Sequence, residues 1–311
     1  MPNPYQNHAI MVICAADVDQ IWHNATHDDP DNQGANPTLP APGLPTQTGI
    51  GYIHSGNFDA VAQIRGDDFF LVSADPVYYA LILKAKVEVG PIAAGDFLLA
   101  IRGTMDKLEW LNDAAALLMT DMDDRAQGQV GVGFIDVYRS MFIAALDGTR
   151  LGDPGTYLTA LFKNEPAANV FVCGHSLGAA LATYLTYDLV GWDIDAAERL
   201  KGYFFASPKT GTADWVKFYQ SAVPAYELVN YALDFVPMVP PDGQALSPGG
   251  PAHNVHNIPG FAPGAIATGL RAPFDAADNH SPMGYARMLD GSNPIPNQIL
   301  ACRPAPGPSG Q

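Results

Sequence analysis

Val170-Phe171-Val172-Cys173-Gly174-His175-Ser176-Leu177-Gly178-Ala179-Ala180-Leu181-Ala182 is the stretch from which the fold of this chain is read. Its four opening apolar residues, Val170 to Cys173, have the pattern of a strand buried on both faces. The Pro-free run of small and apolar residues after Gly178, continuing to Leu185, reads as a helix. Between them, Gly174-His175-Ser176-Leu177-Gly178 matches G-x-S-x-G in the strand-turn-helix setting that gives this pattern its meaning. A turn that sharp holds the serine in strained backbone geometry. A side chain at 174 or 178 would collide with the neighbouring strand or helix, so glycine stands at both. The turn exposes the Ser176 hydroxyl at the top of a sheet and aims the free N–H groups of the helix start at the same point. An ordinary Gly-rich strand-helix turn is the competing reading. The flanking strand and helix favour a nucleophile, and Ser176 is the candidate.

Elsewhere, strands and helices alternate. Tyr5 to Asn24 is expected to be a helix with an apolar stripe of Ile10, Ile13, Val18, Ile21 and Trp22. Residues 28–48 are rich in Pro, Gly and Asn and read as a loop. Val77 to Val87 and Phe97 to Ile101 are expected strands, joined by a turn from Gly90 to Gly95. Helices are expected at Met105 to Met119, Gly133 to Leu146, Thr156 to Phe162, Asp214 to Ala222 and Ser281 to Leu289. Leu200 to Ala206 and Tyr226 to Tyr231 are further strands. Residues 237–273 form a long Pro- and Gly-dense segment, the kind of excursion that surrounds a site. This order argues for one α/β domain over residues 1–311, a mostly parallel central sheet flanked by helices, with the N-terminal helix and loop occupying 1–57.

Composition narrows the chemistry. The 32 acidic residues outnumber 16 Lys and Arg, for a formal net charge of −16. Such a surface repels nucleic acid and anionic membranes and favours neutral substrates. No apolar run before Arg65 is long enough to cross a bilayer, and no basic n-region marks a signal peptide. The expected location is therefore the cytoplasm by default, or outside the cell if a leader precedes this sequence. Three cysteines are too few for a disulfide framework, although Cys14 and Cys302 would tie the ends together if paired. His23, His27 and the aspartates at 28, 29 and 31 lack a third ligand at a recognisable spacing and read as a solvated helix end. Asp121, Asp123 and Asp124 lack the spacing and glycine of a calcium loop.

A serine hydroxyl at neutral pH needs a base within hydrogen-bond reach, and the base needs an orienting acid. Downstream of Ser176, Asp234 stands just past a strand, where such an acid belongs. Three later histidines could serve as the base. His280, directly before a helix on a loop able to reach back over the sheet, is preferred to His253 and His256 in the long Pro/Gly segment. The oxyanion needs N–H donors. Leu177, next to the nucleophile, should supply one, and Thr104, in the segment Arg102-Gly103-Thr104 after a strand, the other. Leu108, Leu111, Ala115 and Leu118 share one face of the 105–119 helix, and Trp110 lies near the opposite, polar side. That distribution suits a lid resting against lipid, and equally a fixed surface helix with two apolar patches.

These pieces together resemble the fungal-type (class 3) lipases, from about Val77 to Leu289. Ile101-Arg102-Gly103-Thr104 is similar to the family's oxyanion segment and Gly133-Phe134 to its Gly-Phe pair. Ala206-Ser207-Pro208-Lys209 is similar to its Gly-Ser-Pro-Arg strand end, Asp234-Phe235-Val236-Pro237 to its acid, and His280 with Tyr285 to its histidine segment. The resemblance implies an α/β-hydrolase fold and carboxylester hydrolysis by Ser176, His280 and Asp234. It further implies Thr104 and Leu177 as oxyanion donors and a lid after Thr104. One departure concerns Gly131, where the family usually has a histidine. The expected substrate is a neutral acylglycerol or other acyl ester, met at a lipid–water interface, with no metal or organic cofactor implied. A short-chain or feruloyl esterase, a phospholipase A1 and a catalytically inactive binding module are the alternatives.

Overall fold

A computed structural model describes residues 5–26, 34–37, 39, 51–53, 55–67, 76–103, 118–192, 198–231, 234, 236–240, 252–253 and 280–290. Its centre is a sheet of eight strands: β1 (Phe58–Gly66), β2 (Val77–Ala85), β3 (Phe97–Ile101), β6 (Phe142–Ala144), β7 (Arg150–Gly152), β8 (Val170–His175), β9 (Leu200–Phe205) and β11 (Tyr226–Val229). They run in the order β11-β9-β8-β3-β2-β1-β6-β7. Pairing is parallel from β11 through β9 and β8 to β3. It is antiparallel from β3 outward to β7. The sheet is thus mixed, and the expected parallel arrangement holds in the half that carries the serine. Four short strands, β4 (Met119–Asp121), β5 (Gln129–Gly131), β10 (Gly211–Thr212) and β12 (Ala252–His253), make a second small sheet.

Strand alternation separates two apolar layers. Phe97, Leu99, Ile101, Val170 and Val172 face one side, with α2 (Val132–Ser140), α3 (Pro154–Lys163), α4 (Leu177–Gly191) and α5 (Ala213–Ala222) packed over them. Leu98, Ala100, Phe171 and Cys173 face the other, under α1 (Gln6–Thr26) and α6 (Pro282–Leu289). Both faces of the central strands are covered, which is why they read as unbroken apolar runs. Ala179, Ala180 and Ala182 are wholly buried and bring α4 close to the sheet.

The N-terminal helix departs from expectation. Residues 9–15 are buried around its whole circumference rather than along one stripe. It lies across β3, β8 and β9 and packs against α6. Its buried Asp17 accepts a hydrogen bond from the Ile53 N–H at 2.9 Å. Cys14, on this helix, is buried and has no disulfide among the described residues, and its thiol pKa is raised by burial and by neighbouring Cys173; Cys302 lies outside the described residues.

Three further expectations are corrected. The helix expected from Gly133 to Leu146 ends at Ser140. Met141 turns extended, and Phe142 to Ala144 pair with β1 instead, Ile143 opposite Ile64. Met119, expected at a helix end, belongs to β4, which pairs with β5 around the polar segment 122–128. Residues 237–273 are not wholly irregular, since Ala252 and His253 pair with Thr212 and Gly211. Local periodicity could not foresee these, because each short strand takes its conformation from a distant partner.

Candidate active site

Ser176 links β8 to α4 with φ 58° and ψ −127°, a left-handed conformation unusual for a residue with a side chain. The flanking glycines are required sterically. A Cβ on Gly174 would stand 2.2 Å from the Gly178 carbonyl oxygen, and one on Gly178 would stand 2.5 Å from that of Ile101. The turn is therefore closed against its own helix on one side and against the end of β3 on the other. The Ser176 N–H donates to the Phe205 carbonyl at 3.0 Å, tying the turn to β9.

Asp234 and His280 arrive from separate elements. Asp234 lies beyond β11 and is fully buried. His280 directly precedes Ser281, the N-cap of α6. His280 Nε2 stands 2.7 Å from Ser176 Oγ, and its Nδ1 stands 2.9 Å from Asp234 Oδ2. Asp234 Oδ1 accepts from the Val236 N–H at 3.0 Å, and Oδ2 accepts from the Tyr285 hydroxyl at 2.8 Å. That hydroxyl in turn accepts from the Tyr231 N–H at 2.8 Å. Burial, and then the adjacent carboxylate, hold the Tyr285 phenol well above its ordinary pKa, so it remains a donor to Asp234. A serine, an imidazole and a doubly supported carboxylate thus form one hydrogen-bonded line. Chemically, it can draw a proton from the hydroxyl and hold the imidazolium that results.

Leu177 is the first residue of α4, where a backbone N–H has no partner within the helix. The segment after β3 passes directly against the serine: a Cβ on Gly103 would lie 2.9 Å from the His175 carbonyl oxygen and 3.3 Å from Ser176 Cβ. Arg102 is fully buried, its Nε donating to the Tyr78 carbonyl at 2.7 Å and its guanidinium 4.1 Å from the Trp22 ring on α1. Thr104, Leu108, Trp110 and Leu111 lie outside the described residues, as does His256; His253 is described only through its place in β12. At Gly131, a Cβ would come within 3.1 Å of the Phe134 ring, so glycine there fits this chain's own packing. Among the described residues, no group of three potential metal ligands occurs.

Residues 98–244 match the model of the class 3 lipase family. This chain resembles that family over those residues, just under half its length. Among curated relatives, Phospholipase A1-II 7 of Oryza sativa subsp. indica is 31% identical over 178 residues, which are 50% of this chain and 44% of that protein. Phospholipase A1-IIgamma of Arabidopsis thaliana is 28% identical over 165 residues, 48% of this chain and 39% of that one. The match thus spans less than half the length of these relatives. Among solved structures, the Rhizomucor miehei lipase propeptide complex superposes with a TM-score of 0.50 at 16% identity, covering 76% of this chain and 61% of the other. That likeness is one of fold alone, the α/β-hydrolase fold.

Two neighbours of the site escaped sequence reasoning. His175 occupies a variable place in the G-x-S-x-G pattern, so its type carried no signal. Arg102 stood in a segment read only for its N–H donors, although a charged residue between an apolar strand and a glycine was a cue.

Proposed function

We propose that this chain is a serine carboxylester hydrolase acting on neutral acyl lipids. The observation that carries the reading is the line Ser176 Oγ, His280, Asp234, closed at 2.7 and 2.9 Å. His280 takes the hydroxyl proton as Ser176 attacks the ester carbonyl, then gives it to the departing alcohol. Asp234 stabilises the imidazolium between the two transfers. Water, activated by the same base, releases the fatty acid. The oxyanion is held by the Leu177 N–H and by Thr104, which follows Gly103. Incubation with a fluorophosphonate should label the wild type and not Ser176→Ala. Hydrolysis of p-nitrophenyl butyrate should fall about 10⁴–10⁶-fold in Ser176→Ala and in His280→Ala. Labelling at another residue, or full activity in either variant, refutes the assignment.

Triacylglycerol is the substrate favoured by the acidic surface, with a net charge of −16. A second reading, sn-1 hydrolysis of phospholipids, is favoured by the names of the plant relatives. Matched acyl chains presented as a triacylglycerol emulsion and as phosphatidylcholine vesicles separate the two by which releases fatty acid faster. Residues 105–118 are the lid in this proposal, with Leu108, Trp110 and Leu111 meeting the lipid. It requires a jump in rate as a long-chain ester passes its solubility limit, blunted in Trp110→Ser. Smooth saturation through that limit in both proteins removes the lid.

A further inference from the structure

We infer that His175 is a positioning residue for the base: its ring is the plate that holds the His280 imidazole in line with the Ser176 hydroxyl. The inference rests on the reading of Ser176, His280 and Asp234 as the catalytic line. The two hydrogen bonds of His280, at Nε2 to Ser176 and at Nδ1 to Asp234, define an axis through its ring. They do not stop the ring from swinging about that axis. A flat group packed against it does. The His175 ring packs beside it, with centroids 4.8 Å apart and planes tilted by 42°, close enough to block that swing. The same ring makes a T-shaped contact with Tyr285 at 5.8 Å and 78°, the tyrosine whose hydroxyl supports Asp234. The contact therefore bridges base and acid.

The plate is itself held. His175 is the last residue of β8, paired with Phe205 of β9. Its main chain is pressed by Gly103, where a Cβ would already lie 2.9 Å from the His175 carbonyl oxygen. The His280 main chain lies close enough to the ring to favour its charged form. By contrast, the N-cap Ser281 that follows His280 makes no side-chain capping bond, so α6 alone fixes the base weakly.

The ring is also suited to a neighbour that becomes charged. Burial first, and then His280 itself, push His175 well below the ordinary imidazole range, against the opposing pull of the His280 main chain. It is neutral while His280 carries the proton, so it adds no repulsion to the imidazolium. Among the described residues its buried Nε2 meets no hydrogen-bond partner, an arrangement that costs stability. A position needing only to be filled would be better served by leucine.

The test uses p-nitrophenyl butyrate kinetics on the full chain, with His175→Ala and His175→Phe beside the wild type. Alanine removes the plate. Its kcat should fall roughly 10²-fold, the scale expected when a reacting group shifts by about 1 Å, with KM unchanged. Phenylalanine keeps the ring, fills the same space and so folds; it should recover most of that loss and stay within about tenfold of the wild type. Wild-type kcat in both variants overturns the inference, as does a change confined to KM. If alanine fails to fold, His175→Leu, filled but not flat, takes its place and must fall below phenylalanine. A wild type inert to both ester and fluorophosphonate is a different failure, that of the catalytic line itself.

Discussion

Replacing Ser176 by alanine and by glycine removes the same hydroxyl but treats the backbone differently. At φ 58° and ψ −127° the residue sits where a Cβ is strained, a cost of about 1–3 kcal/mol. Alanine keeps the Cβ and the strain; glycine has neither. Glycine also frees the unfolded chain, which offsets about 0.4–1 kcal/mol of that relief. The difference leaves the glycine variant more stable than the alanine variant by roughly 1 kcal/mol. In a protein of this size that is about 2 °C in Tm. The lost 2.7 Å contact with His280 is common to both variants and cancels. Thermal melts of the two proteins in one buffer measure the gap, and p-nitrophenyl butyrate confirms that both are inactive. A glycine variant melting at or below the alanine variant would show that the turn stores no strain and that the backbone reading of the motif is mistaken.

Tyr285→Phe strips Asp234 of one donor and leaves the buried Tyr231 N–H without its acceptor, so stability in urea should fall by about 1–3 kcal/mol and kcat should drop with KM held. Unchanged urea midpoints would mean the hydroxyl is replaceable. Gly178→Ala sets a Cβ 2.5 Å from the Ile101 carbonyl and 2.6 Å from that of Arg102, which should cost about 1–3 kcal/mol and slow fluorophosphonate labelling; wild-type labelling would refute the tight approach of β3. The folded His175 ring resists protonation, so its contribution is complete above about pH 6.5 and is lost as the pH falls below that value and the unfolded chain takes up the proton instead. Tm should therefore fall between pH 7.5 and 5.5 more steeply in the wild type than in His175→Phe, and equal slopes would contradict it.

The serine turn was legible because its constraint is local. Gly174, Ser176 and Gly178 lie within five residues, and the collisions that forbid side chains there involve the same turn and the strand beside it. The central strands were equally plain, since burial on both faces leaves an unbroken apolar run such as Phe97 to Ile101. Phe142 to Ala144 was read as helix because apolar residues there fit a helical period, and only pairing with β1 makes them a strand. Strand ends and chain order pointed to Asp234 and His280. Their meeting, across 46 residues from each other and 104 from His280 to the serine, depends on the sheet order and on α1 packing against α6. His175 marks the limit most clearly. As a letter it fills a place where the pattern accepts any residue; its partner is a ring 105 positions away (280 − 175), and contact between side chains that far apart is a property of the packed chain, not of any segment of it.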